Sequence, residues 1–204
     1  MARRGDKLRE HILWTAKDVF LEMGFERASM DEVAARAETS KRSLYAHFEN
    51  KEKLYLAVID LVRGFFLAKL KTPGDYSDDA AQALTLFCGR YLEILLYKAQ
   101  IQMCRMSMAE AARFPEQAAQ YFDLLFTQVR ARLSAYLNRQ FGLTAKASAE
   151  AADKLLGQVL YRRHIRALFG IDEPVERIDA DGPSADFDLR PIRKAVKELV
   201  DCLA

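Results

Sequence analysis

Apolar residues recur at intervals of three and four along almost the whole chain. The first segment shows the pattern clearly, with Leu8, Ile12, Ala16, Val19, Phe20 and Met23. Such spacing places the apolar side chains on one face of an amphipathic helix. No run of alternating apolar and polar residues indicates a strand. The pattern therefore predicts an all-α fold of about nine helices.

Residues that cap or end helices divide the first quarter of the chain. Gly24 predicts the end of the first helix, because glycine adopts the positive φ needed there at low cost. Three later positions carry side chains that can accept hydrogen bonds from free helix N–H groups: Ser29 with Glu32 in a capping box, Thr39 or Ser40, and Asn50. We expect short second and third helices, ending near Ala37 and His47. A fourth helix over 51–70 is expected to link two domains through Phe65 and Phe66.

The rest of the chain also has a helical pattern. Pro73 and Gly74 form a clear break. Beyond it we predict helices at 77–98, 101–113, 115–140, 148–169 and 189–203. The segment 171–188 combines one arginine with seven carboxylates, together with two prolines and a glycine, and is predicted to be a long acidic loop.

The segment 29–48 is predicted to be a helix-turn-helix, since two short helices flank a turn of about three residues. Leu44 and Phe48 are four residues apart and can anchor the second of these helices. The intervening polar residues would then face outward, where a recognition helix meets the base edges and phosphates of DNA. From the pattern alone, an ordinary solvated surface is an equally good interpretation.

Composition narrows the choice of function. The net charge is only +2 over 204 residues, so any contact with nucleic acid must use locally concentrated cations. The three cysteines are far apart and form no CxxC pair, which argues against a zinc site or a disulfide framework. We find no nucleophile–base pair, nucleotide loop or metalloprotease motif, so neither an enzyme nor a bound cofactor or metal is predicted. Without a signal peptide or membrane span, a cytoplasmic protein with no membrane partner is expected.

A longer run of residues favours the DNA-binding interpretation. The sequence ILWTAKDVFLEMGFERASMDEVAARAETSKRSLYAHFENKEKLYLAVI, residues 12–59, resembles the DNA-binding domain of the TetR family of transcriptional regulators. The resemblance implies a helix-turn-helix domain over 1–52 and an effector-binding and dimerisation domain over 53–204. It also implies that the residues facing DNA are Ser29, Ser40, Lys41, Ser43, Tyr45, His47 and Lys51.

Two positions depart from the family pattern. Glu38 stands in the turn where glycine is usual, and a left-handed backbone there would cost glutamate about 1 kcal/mol more than glycine. Arg42 replaces a small residue inside the recognition helix. Because an arginine can reach a guanine, we add Arg42 to the DNA-facing set and expect it to alter the preferred operator.

The second half of the chain resembles the effector domain of the AefR-like subgroup, through MSMAEAARFPEQAAQYF at 106–122 and LGQVLYRRHIRALFG at 156–170. Such domains bind a small molecule. We predict that rings and thioethers line the site, namely Phe87, Tyr91, Met103, Met106, Phe122 and Phe126. For any single one of them, an ordinary core residue is the more common role.

The last two helices carry apolar residues beyond the needs of one core, including Leu155, Leu156, Val159, Ile192, Val196 and Leu199. Packed against their copies across a two-fold axis, they would form a homodimer. The expected function is a repressor that binds a palindromic operator in double-stranded DNA and is released by a small apolar or amphipathic effector. The alternative is a helical protein-interaction module that has no small-molecule effector.

Overall fold

The structure, a computed structural model, describes residues 4–179 and 181–203; the side chains at 4, 63 and 65–68 are outside this description. The predicted roles of Phe65 and Phe66 at the end of the fourth helix therefore fall outside the described residues.

Within the described ranges the chain forms ten α-helical segments. They are α1 Arg4–Arg27, α2 Met30–Arg36, α3 Lys41–His47, α4 Lys51–Lys69, α5 Ala80–Leu96, α6 Lys98–Ala109, α7 Pro115–Phe122, α8 Gln128–Phe141, α9 Ala145–Leu168 and α10 Arg190–Leu203. One π-helical turn, Asp123–Thr127, joins α7 to α8, so the described helices number nine. The prediction of an all-α fold is confirmed. No helix in these ranges is long and apolar enough to cross a bilayer.

Local capping accounts for the start of the three helices that follow α1. The Ser29 hydroxyl accepts a hydrogen bond from Glu32 N, and the Ser40 hydroxyl accepts one from Ser43 N, each at 3.1 Å. The Asn50 side chain begins α4 in the same way. Only half of the predicted capping box forms, because the Glu32 carboxylate accepts a hydrogen bond from Arg36 Nε at 2.7 Å instead.

The chain divides into two compact units at places other than the predicted boundary. Unit 1 runs to Phe65 and also includes Arg105–Tyr121, whereas unit 2 comprises Phe66–Cys104 and the chain from Phe122 onward. The segment Arg105–Tyr121 was expected in the effector domain. It joins unit 1 because Phe114 packs its ring 5.3 Å from that of Phe25 and 5.2 Å from that of Tyr55.

The core of unit 2 is built around α5, which is buried along most of its length. It contains an ion pair with no exposed surface, in which Arg90 Nη1 lies 2.8 Å from Glu93 Oε2. Buried charges need further hydrogen bonds. Segment 171–188 supplies them, since Arg90 donates to the Asp179 and Gly182 carbonyls and Glu93 accepts from Ser184 N. The acidic loop is therefore docked on α5.

The apolar residues assigned to the dimer interface have another role. Leu155, Ile192, Val196 and Leu199 are each at most 5% exposed in the single chain. They fill the space among α5, α9 and α10, three helices that contact one another. The prediction that these residues are spare was wrong, because helical spacing shows that a face is apolar but not what covers it.

Candidate nucleic-acid interface and effector site

The third helix presents a polar face to solvent. Leu44 is fully buried and Phe48 is 4% exposed, so both hold α3 against the rest of unit 1. Lys41 and Arg42 are exposed, and Tyr45 is 49% exposed. Ser43 and His47 are partly buried. The side chains predicted to face DNA from this helix are thus all exposed or partly exposed.

The two capping serines lie at the N-terminal ends of α2 and α3. Both hydroxyls act as acceptors for their own helix. A hydroxyl that accepts can still donate its proton. Ser29 and Ser40 can therefore begin their helices and donate to a phosphate at the same time.

The cations of α3 differ in how readily they can move. Lys41 Nζ lies 2.7 Å from Asp31 Oδ2, but both side chains are exposed, and such pairs contribute little stability. Arg42 makes no hydrogen bond or ion pair with any residue in the described ranges. Its five N–H donors are therefore available to an external partner.

Lys51 is held more firmly than its sequence context suggested. Its ammonium donates to the carbonyls of Phe25, Glu26 and Ala28 at 2.9, 3.2 and 3.1 Å. It also lies 4.5 Å from the centre of the Phe25 ring. An ammonium has three donors, so in this conformation they are occupied at the end of α1. Contact between the Lys51 ammonium and a phosphate stays a prediction. The backbone N–H groups at the start of α4 are the donors best placed to bind a phosphate there.

The turn between α2 and α3 contains a strained residue. Glu38 has φ of +48°, in the left-handed region that favours glycine. Glu38, the turn residue that departs from the family pattern, thus has a backbone conformation that is unfavourable for a residue with a Cβ atom. The turn is held by backbone hydrogen bonds from Glu38 N and Thr39 N to the Ala35 and Ala34 carbonyls.

Unit 2 contains an open apolar recess of about 300 Å³. It is lined by Tyr91, Phe122, Phe126, Thr127, Arg130, Asp153, Leu156, Gly157, Leu160 and Tyr161. The lining therefore comes from α5, the last residue of α7, the π-helical turn, the first turn of α8 and one face of α9. π-Helical turns occur frequently at functional sites, which makes this recess the candidate effector site.

Three of the six predicted ligand-binding residues line this recess, namely Tyr91, Phe122 and Phe126. Phe87 and Met103 are at most 1% exposed and do not line it, so within unit 2 they act as core residues. Met106 belongs to unit 1. The face of α9 was not predicted, although Asp153, Leu156, Gly157 and Leu160 share helical spacing and could have revealed it.

The polar groups near the recess are fixed by their partners. The buried Tyr91 hydroxyl donates to the Leu125 carbonyl in the π-helical turn at 2.6 Å, and burial raises its pKa well above the usual value. At the rim Arg130 Nη2 donates to Asp153 at 2.9 Å and lowers the pKa of that carboxyl.

His164 lies beside the recess, with its ring 6.1 Å from that of Phe126. Burial lowers the pKa of His164 to about 4, so the ring is neutral near pH 7. Its Nε2 atom is buried and has no hydrogen-bond partner among the described residues.

An exposed second helix in a helix-turn-helix is the arrangement through which helix-turn-helix proteins bind DNA. Two family models match the chain. Residues 12–58 match the bacterial regulatory proteins of the tetR family, and residues 82–182 match the C-terminal domain of AefR-like transcriptional repressors. The chain belongs to the TetR family of DNA-binding transcriptional regulators.

Individual relatives match only part of the chain. The transcriptional activator FasR of Mycolicibacterium smegmatis is 47% identical over 62 residues, which is 28% of each chain. The repressor NicS of Pseudomonas putida is 30% identical over 93 residues, 44% of each chain. The chain thus matches less than half the length of either relative. A solved TetR-family regulator from Mesorhizobium loti aligns over 99% of this chain and 97% of its own, with TM-score 0.77 and 20% identity, and shows the fold.

Proposed function

We propose that the protein is a dimeric, sequence-specific repressor that leaves its operator when a small apolar or amphipathic molecule occupies the recess of unit 2. The observation that carries the DNA-binding part is the orientation of α3. Its apolar anchors Leu44 and Phe48 are buried, while Lys41, Arg42 and Tyr45 are exposed.

The proposed surface separates base contacts from phosphate contacts. Lys41, Arg42 and Ser43 lie in the first turn of α3, which is the part of a recognition helix that meets base edges. We assign the phosphate contacts to Ser29, Ser40, Tyr45, His47 and the start of α4 at Lys51. Phosphate contacts set the register and orientation of the protein on the duplex, and base contacts discriminate sequence.

The proposed effector is small and contains an apolar ring. The recess volume of about 300 Å³ lies at the lower end of known ligand sites, and Phe122, Phe126 and Tyr161 offer rings for stacking. A ligand shifts a conformational equilibrium only through different affinities for the two states. We propose that α4, which has residues in both units, tilts between those states. A coupling of about 1–3 kcal/mol would suffice.

A different face of α9 from the one predicted supports the dimer. Tyr161, Ile165 and Phe169 recur every fourth residue, and Tyr161 and Phe169 are 76% and 79% exposed. An exposed apolar row of this kind favours association with a second copy. The two recognition helices of such a dimer would enter successive major grooves about 34–36 Å apart.

Selection of bound fragments from the genome of the source organism tests the proposed function. We expect a palindromic site whose affinity falls steeply as salt rises, because binding displaces counterions from the phosphates. Transcription in vitro from a promoter with that site should decrease when the protein is added. If no fragment is enriched at low salt, the helical protein-interaction module becomes the better interpretation.

A further inference from the structure

We infer that Arg113 is a positioning residue for DNA binding, because its guanidinium neutralises two carboxylates beside the start of α4 and so sets the charge that a DNA phosphate meets there. The inference rests on the proposed DNA-binding surface. Arg113 lies more than 60 residues beyond the helix-turn-helix in the sequence, but it belongs to the same compact unit.

The contacts of Arg113 are specific. Its Nη1 lies 2.8 Å from Glu26 Oε1, and its Nη2 lies 2.9 Å from Glu52 Oε1. The guanidinium carbon is 4.7 Å from the centre of the Phe25 ring. The neighbouring Phe114 packs against the same ring, which anchors the segment that carries Arg113. One side chain therefore joins the end of α1 to the first turn of α4.

The two carboxylates flank Lys51. Glu52 follows it in sequence, and the Glu26 carbonyl accepts one of the three hydrogen bonds from its ammonium. Phe25 brings the two cations together, since its ring centre lies 4.5 Å from Lys51 Nζ. Two positive and two negative charges therefore balance in this cluster. Without Arg113 the cluster would carry a net negative charge at the proposed phosphate site.

Charge at this place affects a phosphate more than it affects the fold. A carboxylate in the first turn of a helix is favourable for the helix itself. The same carboxylate repels an external phosphate that approaches the N–H groups of that turn. Glu26 and Glu52 are partly exposed, at 74% and 40%, so their field reaches the solvent side. Arg113 satisfies both carboxylates and leaves the N–H groups of α4 to bind DNA.

The test compares DNA affinities of four variants on the selected operator. Arg113→Ala should weaken binding about threefold to tenfold at 0.05 M salt, and the loss should shrink as salt rises, because the repulsion is screened. Adding Glu26→Gln and Glu52→Gln to Arg113→Ala should restore most of the affinity. The same two glutamines with Arg113 intact should bind more tightly than the parent. A merely structural defect would persist at every salt concentration.

Arg190→Ala is the control for loss of a paired arginine. Arg190 pairs with Asp188 at 2.8 Å in unit 2, which contributes none of the proposed DNA contacts. Its removal should change affinity by less than about twofold, because the charge that it releases is not next to a proposed phosphate contact. Thermal unfolding of every variant checks the fold.

The outcomes separate the inference from the proposed function. If the parent protein binds no DNA fragment, or if its binding does not weaken as salt rises, the proposed function fails. If the parent binds and Arg113→Ala binds equally well, or if the two glutamines with Arg113 intact do not raise affinity, the inference alone is overturned. The glutamine variant keeps all of Arg113, so this second outcome does not depend on the folding of Arg113→Ala.

Discussion

Glu38 shows how much one backbone angle can matter. Its φ of +48° costs a residue with a Cβ atom about 1 kcal/mol. Glu38→Gly should therefore raise the free energy of unfolding by about 0.5–1 kcal/mol, after allowance for the greater freedom of glycine in the unfolded chain. Urea unfolding measures the change. Glu38→Gln keeps the Cβ and loses the charge, so an equal gain in that variant would mean that charge and not strain was responsible.

Arg42 is the residue on α3 whose effect should depend on the DNA sequence. It has no partner within the described ranges, and a bidentate contact to guanine discriminates by about 1–3 kcal/mol. Arg42→Ala should change the bases preferred at one position of each half-site in a fragment selection.

Tyr45→Phe is the comparison for Arg42→Ala, because loss of a phosphate contact should weaken all sequences alike. If Arg42→Ala leaves both affinity and preference unchanged, Arg42 does not read the operator.

For single residues, the sequence predicted whether a side chain faces the core or the solvent better than it predicted which atoms that side chain contacts. Helical spacing identified Leu44 and Phe48 as buried and Tyr45 as outward, because a helix fixes the direction of each side chain from its position. It did not predict the three carbonyl acceptors of Lys51. They belong to Phe25, Glu26 and Ala28, more than 20 residues earlier, and only the packed structure brings them to the ammonium.

Among the helices, α10 tests the difference between a core face and an interface. Leu199 is 5% exposed in the single chain. Leu199→Asp should therefore lower the stability of the fold itself by about 3–5 kcal/mol, because it strands a charge in an apolar core. A thermal melt of the dilute protein measures this. If Leu199→Asp keeps normal stability but no longer forms a dimer, Leu199 lies in the dimer interface and not in the core of the single chain.

Gly157 on α9 offers a direct way to fill the recess. A Cβ atom at this position would meet nothing within 4 Å, although the residue lines the recess. Gly157→Leu should abolish binding of an amphipathic naphthalene dye and leave a repressor that no longer responds to effector. Gly157→Ala is the control, since it gains about the same helix propensity, close to 1 kcal/mol, while adding little volume.

Two measurements complete that test. Light scattering on Gly157→Leu distinguishes a filled recess from a disrupted dimer. If the dye binds Gly157→Leu as it binds the parent, the effector site lies elsewhere.

Helix positions were accessible from the sequence, whereas several junctions were not. Gly142 and Gly170 follow the ends of α8 and α9 at positive φ, where glycine has the lowest conformational cost. The break between α5 and α6 came two to three residues earlier than expected, at Tyr97, because Val175 of the acidic loop pairs with the backbone there. A contact with a residue nearly 80 positions away cannot be predicted from the local spacing of apolar residues.

For the whole molecule, the exposed row of α9 predicts how two copies associate. Phe169→Asp should weaken the dimer at least about tenfold and leave the single chain folded, because Phe169 is 79% exposed. Light scattering at micromolar concentration checks the mass. Ala145→Asp adds the same charge to an exposed site at the start of α9, away from this row, and should leave the dimer intact. A monomeric parent would refute the proposed dimer.

The division of the chain into units could not be predicted from chain order. The sequence placed the boundary after residue 52, where the family resemblance changes from one domain to the next. In the structure Arg105–Tyr121 returns to unit 1, held by Phe114 and Arg113. The segment AEAARFP, residues 109–115, lies within the run that resembles the effector domain, but its partners Phe25 and Tyr55 carry no signal that links them to it.

The π-helical turn has a consequence for insertions and deletions. In it the Gln128 N–H donates to the Asp123 carbonyl five residues back, which accommodates one residue more than an α-helix would. Deleting one residue between 123 and 127 would restore α-helical geometry and change the direction of Phe122 around the helix axis by about 100° relative to the rest of the recess. Phe122 would then leave the recess, and Leu125 would no longer present its carbonyl to Tyr91. A homologue with a one-residue gap here should therefore recognise a differently shaped effector, even if every other lining residue is identical.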